Sequence, residues 1–410
     1  MGDRALLRCA VIASRVMRIS SRVEGIGESQ TLRVARLARE LKERGVDVID
    51  FSVGQPDFSS PAGAVQAASR ALEEGFTRYT ANTGILPLRE ALAESYHRRH
   101  GSPWTPGEVM VTVGAKMGLF ELSLALFQSG DEVVLPSPYW VSLPEQIRFS
   151  GAQPVLVEAS PADGFRLHAE ALIAAMTKRT RAVLLNTPCN PTGGTIGEED
   201  LRKLVEACAS RDIVLIADET YERFVYGGRA PVSAAALAAE FPETVIVVGS
   251  FSKTYAMTGW RLGYVLANKA VITALSKIQS HATSNPTSFA MAGAVEALLG
   301  GEEEWLLRLQ EFEARRALLM PLLEDLPGVR CQPPAGAFYA FPDITGCYRP
   351  GCDSSLTMSE WLLEEARVAV VPGQAFGREG HIRMSFACSR EELRKGLERI
   401  GEALAKHSLG

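Results

Sequence analysis

The sequence predicts an α/β fold: a large domain on a mostly parallel, mixed sheet flanked by helices, joined to a smaller α+β domain. Short apolar strand patterns alternate with polar turns and helical patterns from about residue 109 to residue 266. That rhythm belongs to parallel strands joined by crossover helices. The run Val245-Ile246-Val247-Val248-Gly249 is continuously apolar and rich in β-branched residues, which suits a strand covered on both faces. Past a long helical stretch at 302–326 the pattern changes to short strands and longer helices, which marks a second, smaller unit.

Residues 29–44 place Leu32, Ala35, Leu37, Ala38 and Leu41 at helical spacing, and Gly45 ends that helix. A strand follows at 48–53 and runs into Gly54-Gln55-Pro56-Asp57. Residues 61–74 and 86–100 read as helices, separated by turn chemistry at 79–84. Seven strands fall at 109–113, 132–135, 154–157, 182–185, 213–217, 244–248 and 262–266, with helices near 115–128, 198–211 and 233–240. The helix at 302–326 carries Pro321, a candidate kink. Beyond it lie strands at 337–342, 368–371 and 381–386 and helices at 354–366 and 389–406. The expected division is an extension at 1–18, a small domain from 19–55 with 315–410, and a large domain at 56–314.

The chain has 410 residues, 46% of them hydrophobic and 22% charged, enough for two domains around a large core. A net charge of −5 without a long basic run argues against nucleic acid and acidic membrane partners. Seven cysteines, an odd number without a CxxC pair, point to a reducing, cytoplasmic compartment and away from a disulfide frame or a metal site. No run approaches the roughly 20 apolar residues of a membrane span. Residues 1–18 hold Arg4, Arg8, Arg15 and Arg18 with one acid, Asp3. That composition fits a transit peptide, but an over-extended start with Met17 as initiator is more economical.

Open α/β sheets bind ligands at the carboxyl ends of their strands, and polar residues gather there. After 244–248 comes Ser250-Phe251-Ser252-Lys253, with Arg261 eight residues on. Two hydroxyls and an arginine can hold a phosphate, and a lysine beside a phosphate site suggests a Schiff base to pyridoxal phosphate (PLP). A plain surface lysine is the competing reading. Ser250 to Lys253 also matches the Ser-x-x-Lys of β-lactamases, but the Ser-Asp-Asn and Lys-Thr-Gly that those enzymes need do not occur.

Four further strand ends join it. Gly114-Ala115-Lys116-Met117-Gly118 opens a helix whose free N–H groups suit an anion, without P-loop spacing. Pro136-Ser137-Pro138-Tyr139-Trp140 brings aromatics that either stack on a flat ring or fill core. In the turn 186–194, Asn190 can donate to a phenolate-type oxygen, although turn chemistry alone also explains it. Asp218 follows an apolar strand and is costly to bury unless it meets a cation such as a protonated pyridine nitrogen. A helix N-cap is its alternative. Tyr221, three residues on, can reach the phenolic oxygen of the ring. Each signal has a bland explanation, but none of these explains all of them together.

In Gly114-Ala115-Lys116, Pro136-Ser137-Pro138-Tyr139-Trp140, Asn190-Pro191-Thr192-Gly193, Asp218-x-x-Tyr221, Ser250-Phe251-Ser252-Lys253, Met257-Thr258-Gly259-Trp260-Arg261-Leu262-Gly263-Tyr264 and the late Arg383, the chain resembles the class I/II aminotransferases. This is the aspartate aminotransferase superfamily, PLP fold type I. The match runs in family order from about Ile19 to the C-terminus. It implies that Lys253 carries PLP as a Schiff base and shuttles the proton. It gives Asp218 to the pyridine nitrogen, Asn190 and Tyr221 to the phenolic oxygen, and Trp140 to the ring face. Ser250, Ser252, Arg261 and the Gly114–Ala115 amides would bind phosphate. Tyr79 resembles the tyrosine that reaches a neighbouring subunit's phosphate, which implies a homodimer with shared sites. Gly54 would line the substrate pocket, and Arg383 would clamp the α-carboxylate as a bidentate fork.

The implied reaction is ping-pong transfer of an amino group through pyridoxamine phosphate to a 2-oxo acid, with 2-oxoglutarate as the expected acceptor. Relatives with Gly-x-Lys at the first turn use that lysine, here Lys116, with a threonine matching Thr31, toward a distal carboxylate, which points to aspartate as donor. Relatives that accept prephenate carry a basic residue where Gly27 stands, which weighs against prephenate. A transaminase for aromatic or other neutral amino acids and a PLP-dependent C–S lyase share the same ring site and remain alternatives. A PLP-sensing transcription regulator lacks support because only about 20 residues precede the match. A nicotinamide dehydrogenase lacks its Gly-x-Gly-x-x-Gly.

Overall fold

The computed structural model describes Ile19, Ser20, Val23 and residues 30–408, without the side chains of residues 30–33, 35, 407 and 408. The expected extension at 1–18, Gly27 and the Thr31 side chain lie outside the described residues. Helix α1 (Gln30–Glu43) leads through Gly45, at φ +80°, into the short strand β1 (Ile49–Asp50).

Helices α2 (Ala62–Glu73) and α3 (Leu86–His100) precede the main sheet. Its strands are β2 (Val109–Thr112), β3 (Glu132–Ser137), β4 (Gln153–Glu158), β5 (Thr180–Asn186), β6 (Val214–Asp218), β7 (Val245–Ser250) and β8 (Gly263–Leu266). They lie in the spatial order β2-β8-β7-β6-β5-β3-β4. All run parallel except β8, which is antiparallel to β2 and β7. The sheet is thus the seven-stranded, mostly parallel, mixed sheet that the sequence predicts.

Every residue of β2, β3, β7 and β8 is buried, and the two-residue period explains how. Val183, Leu185, Leu215, Ala217, Val245 and Val247 enter one core. Their chain neighbours Ala182, Leu184, Ile216, Ile246 and Val248 enter the other. Covering the two faces are α4 (Ala115–Leu126), α5 (Ser142–Phe149), α6 (Ala169–Ala174), α7 (Glu198–Ala209), α8 (Lys269–Ala282) and α9 (Ser288–Gly300). On α4, Glu121 is buried with both carboxyl oxygens lacking a hydrogen-bond partner among the described residues, and burial pushes its pKa up to about 8.

Helix α10 (Glu302–Glu324) leads to a second, smaller arrangement. Strands β9 (Tyr339–Ala340), β11 (Val371–Pro372) and β12 (Ile382–Ser385) form an antiparallel sheet in the order β11-β12-β9. Strand β10 (Val368–Ala369) pairs in parallel with β1, far away in the chain. Helices α11 (Ser355–Trp361) and α12 (Arg390–Ser408) flank them. A separate core, including Phe51, Phe224, Phe312, Phe338 and Phe386, lies beneath.

Two local expectations change. The helix expected at 233–240 is one 3₁₀ turn, Ala234–Leu237, started by the Ser233 hydroxyl accepting the Ala235 N–H at 3.1 Å. The strand expected at 48–53 pairs over two residues only, after which its backbone turns to the site instead.

Candidate active site

Parallel pairing sets Asn186 beside Asp218, and Asp218 beside Val248 on the next strand. The carboxyl ends of β5, β6 and β7 therefore open side by side, which is where Asn190, Asp218 and Lys253 belong. Lys253 Nζ donates to the Gly54 carbonyl at 2.6 Å and lies 5.8 Å from the centre of the Tyr221 ring. Burial, then the cations Arg383 and Arg261, lower its pKa to about 8, against a smaller opposing pull from Asp218.

Asp218 is only 2% exposed. Burial raises its pKa to about 6, while the Thr220 N–H at 3.2 Å, Lys253 and the Asn186 amide at 3.1 Å favour the ionised form. The turn behind it is anchored by Glu222, which accepts from Arg99 at 2.6 and 2.8 Å and lies 2.8 Å from His100 Nε2. Tyr221 is buried, and its hydroxyl lies 2.8 Å from that of Tyr339.

A cradle forms at the start of α4. Gly114 has φ +77° and caps the helix without a side-chain hydrogen bond. A Cβ there would sit 2.3 Å from the Arg261 guanidinium, so glycine is what lets the arginine lie over the helix N-terminus. Arg261 Nη1 donates to the Thr258 carbonyl at 3.0 Å, and the Ser250 hydroxyl accepts the Ser252 N–H at 3.0 Å. Lys116 Nζ lies 4.9 Å from the Trp140 ring centre, and burial followed by Arg261 lowers its pKa. Ala115 opens the helix within the cradle.

Arg383 comes from β12, on the small antiparallel sheet, and is 5% exposed. Its Nη1 donates to Asn190 Oδ1 at 3.1 Å and its Nη2 to the Ser52 carbonyl at 2.6 Å. The guanidinium lies 4.6 Å from the Tyr339 ring centre and 5.1 Å from that of Phe376. Its Nε is buried without a hydrogen-bond partner among the described residues. A Cβ on Gly54 would fall 2.4 Å from the Tyr339 hydroxyl, which explains glycine at that position. Tyr79 stands apart from the cluster, 91% exposed.

Two residues of this site were given no role from the sequence. Asn186 ties Asp218 to Asn190, donating to the first and accepting the backbone N–H of the second at 2.8 Å. Its signal was a polar residue ending an apolar strand, the same signal that picks out Asp218. Tyr339 lines the pocket with no local signal at all.

Lys116, Arg261 and Arg383 thus bring three further cationic groups to bear on Lys253, with Asp218 as the opposing acid, beside a glycine-opened helix start. Arg383 is buried, and a buried cation is costly unless an anion meets it. A ligand with a phosphate, a carbonyl reactive toward amines, and a ring nitrogen for Asp218 fits this donor set, as does a substrate carboxylate at Arg383. Among the described residues no group of acids, histidines and cysteines could hold a metal ion, and no helix is long and apolar enough to cross a membrane.

Comparison with known proteins agrees over nearly the whole chain. The family model described as aminotransferase class I and II matches residues 46–400. The probable aspartate/prephenate aminotransferase of Aquifex aeolicus is 44% identical over 388 residues, 94% of this chain and 98% of that protein. The aspartate aminotransferase of Geobacillus stearothermophilus is 40% identical, with 94% and 98% covered. The structure of the Thermus thermophilus aspartate aminotransferase with maleate superposes with a TM-score of 0.89 at 40% identity, covering 95% of this chain and all of that one.

Proposed function

This chain belongs to the class I and II aminotransferases, and on that premise we propose that it moves the amino group of aspartate to 2-oxoglutarate with PLP held at Lys253. The observation that carries the proposal is the Lys253 amine, buried among cations, with its pKa lowered to about 8 beside Asp218. PLP bound there supplies a carbonyl that captures amines and a ring that takes up electron density from the substrate Cα.

The residues divide the remaining work. Gly114, Ala115, Ser250, Ser252 and Arg261 hold the phosphate through helix N–H groups, hydroxyls and a guanidinium. Asp218, ionised at neutral pH, holds a proton on the ring nitrogen. Asn190 and Tyr221 offer donors to the phenolic oxygen, and Trp140 covers a ring face. Arg383 binds the substrate α-carboxylate, its unpartnered Nε adding a free donor. That contact orients the Cα–H toward Lys253 Nζ, which takes the proton as general base. Gly54 leaves room beside the amine. Lys116, with Thr31, receives the distal carboxylate of aspartate.

The exposed phenol of Tyr79 supports a homodimer in which it reaches the neighbouring subunit's phosphate. A second reading is favoured by the names of relatives such as those from Aquifex aeolicus and Thermus thermophilus, which include prephenate. Prephenate, like aspartate, carries two carboxylates.

The test is the absorbance spectrum of the purified protein with PLP, before and after aspartate. The expected result is a bound-PLP band that aspartate abolishes and 2-oxoglutarate restores. A band that ignores aspartate but responds to another amino acid discards the donor. No bound-PLP band discards the role of Lys253. Prephenate in place of 2-oxoglutarate decides the second reading.

A further inference from the structure

We infer that Asn186 is a positioning residue: its single carboxamide fixes the Asp218 carboxylate and the Asn190 backbone together, and so sets the ring acid and the substrate clamp in one geometry. The inference deepens the PLP reading of Lys253 and Asp218 and rests on it.

Pairing of β5 with β6 places Asn186 directly beside Asp218. The residue is 6% exposed, so both ends of its amide need partners inside the protein. Nδ2 donates to Asp218 Oδ2 at 3.1 Å and to the Asp218 carbonyl at 3.3 Å. Oδ1 accepts the Asn190 N–H at 2.8 Å. The amide has one orientation only, because a flip would turn Oδ1 toward a carboxylate and Nδ2 toward an N–H. Asn190 Oδ1 in turn accepts from Arg383. A continuous path of hydrogen bonds and one short loop therefore runs from Asp218 through Asn186 and Asn190 to Arg383.

Contacts from two residues define how Asp218 faces the pocket: Thr220, through its N–H on Oδ1 and its side chain, and Asn186, through its amide on Oδ2. Burial already pushes this carboxyl toward its neutral form. With the amide gone, a buried oxygen loses its donor and the neutral form is favoured further. A neutral Asp218 does not hold a proton on a ring nitrogen. At the same time the Asn190 turn loses the tie that presents its side chain to Arg383.

Asn186→Leu is nearly isosteric and removes all three bonds. The first measurement needs no cofactor: a ¹³C NMR titration of the Asp218 carboxyl in the apoprotein, assigned with Asp218→Asn. The midpoint is expected to rise by about one unit. In the PLP-loaded protein, ¹⁵N-labelled PLP is expected to show its ring-nitrogen resonance displaced toward the unprotonated position. For aspartate, kcat falls and KM rises, a combined loss of roughly ten- to a hundredfold in kcat/KM. A folded Asn186→Leu protein with unchanged midpoint and unchanged ¹⁵N resonance overturns the inference, since a space-filling role moves neither. Should the leucine variant not fold, Asn186→Ala undergoes the same titrations. Failure of the wild-type protein to bind PLP overturns the proposed function instead, and is read separately from the apoprotein titration.

Discussion

The inner and outer halves of the pocket are built differently. On the inner side Asp218, Asn186, Asn190 and Arg383 are buried and bonded to one another, with Lys253 against Gly54. On the outer side the Lys116 amine lies over a ring face, and Tyr79 is open to solvent. Inner groups lock one another's position, so changing one disturbs several. Outer groups act singly, so they can change substrate preference without dismantling the chemistry. On the proposed roles, reaction type belongs to the first half and substrate choice to the second.

Four changes probe this contrast, from the largest effect to the smallest. Lys253→Ala should lower turnover at least about a thousandfold by removing the general base, and near-normal turnover would break the assignment. Asp218→Asn should cost roughly a hundred- to a thousandfold in kcat by withdrawing the charge opposite the ring nitrogen; a loss confined to KM would assign Asp218 to binding alone. Lys116→Ala should reduce kcat/KM for aspartate roughly tenfold while leaving a neutral donor such as alanine unaffected. Equal losses for both donors would move Lys116 to the inner half.

The smallest change lies outside the pocket, at Glu121. Its folded pKa of about 8 stands above the ordinary 4.5, so between those values the folded state holds a proton that the unfolded chain has lost. Stability from this group is therefore fully present below about pH 4.5 and declines as pH rises toward 8. Glu121→Gln should flatten that decline, read as a smaller difference in melting temperature between pH 5.5 and pH 8.5. An unchanged difference would mean that Glu121 finds a cation in solution.

Much of the inner half was legible because an apolar strand that ends abruptly in a polar residue is a local signal. Lys253, Asp218 and the Gly114 turn each follow that form. Arg383 had no such signal of its own and entered through resemblance, because its partner Ser52 lies 331 residues away. Asn186 was read as part of a turn, since only strand register reveals that it adjoins Asp218. Among the elements, α5, α6, α8 and α9 went unread, and α9 has a reason of its own. Its Ala290, Met291, Gly293, Ala294 and Ala297 are buried in a helix that is small and apolar nearly all round, so the amphipathic period is absent. Gly293 there admits Trp260, which would lie 2.6 Å from a Cβ.

The pairing of β1 with β10, and the hold of Arg383 on Ser52, also set a timetable for synthesis. Segments 331 residues apart leave the ribosome, at about 5–20 residues per second, roughly fifteen seconds to a minute apart. Throughout that interval the main sheet can assemble, while Ile49, Asp50 and Ser52 wait with open backbone groups for a strand not yet made. A ribosome stalled before residue 368 would therefore carry a large sheet with Lys253 in place, yet no Arg383 to bridge Ser52 and Asn190.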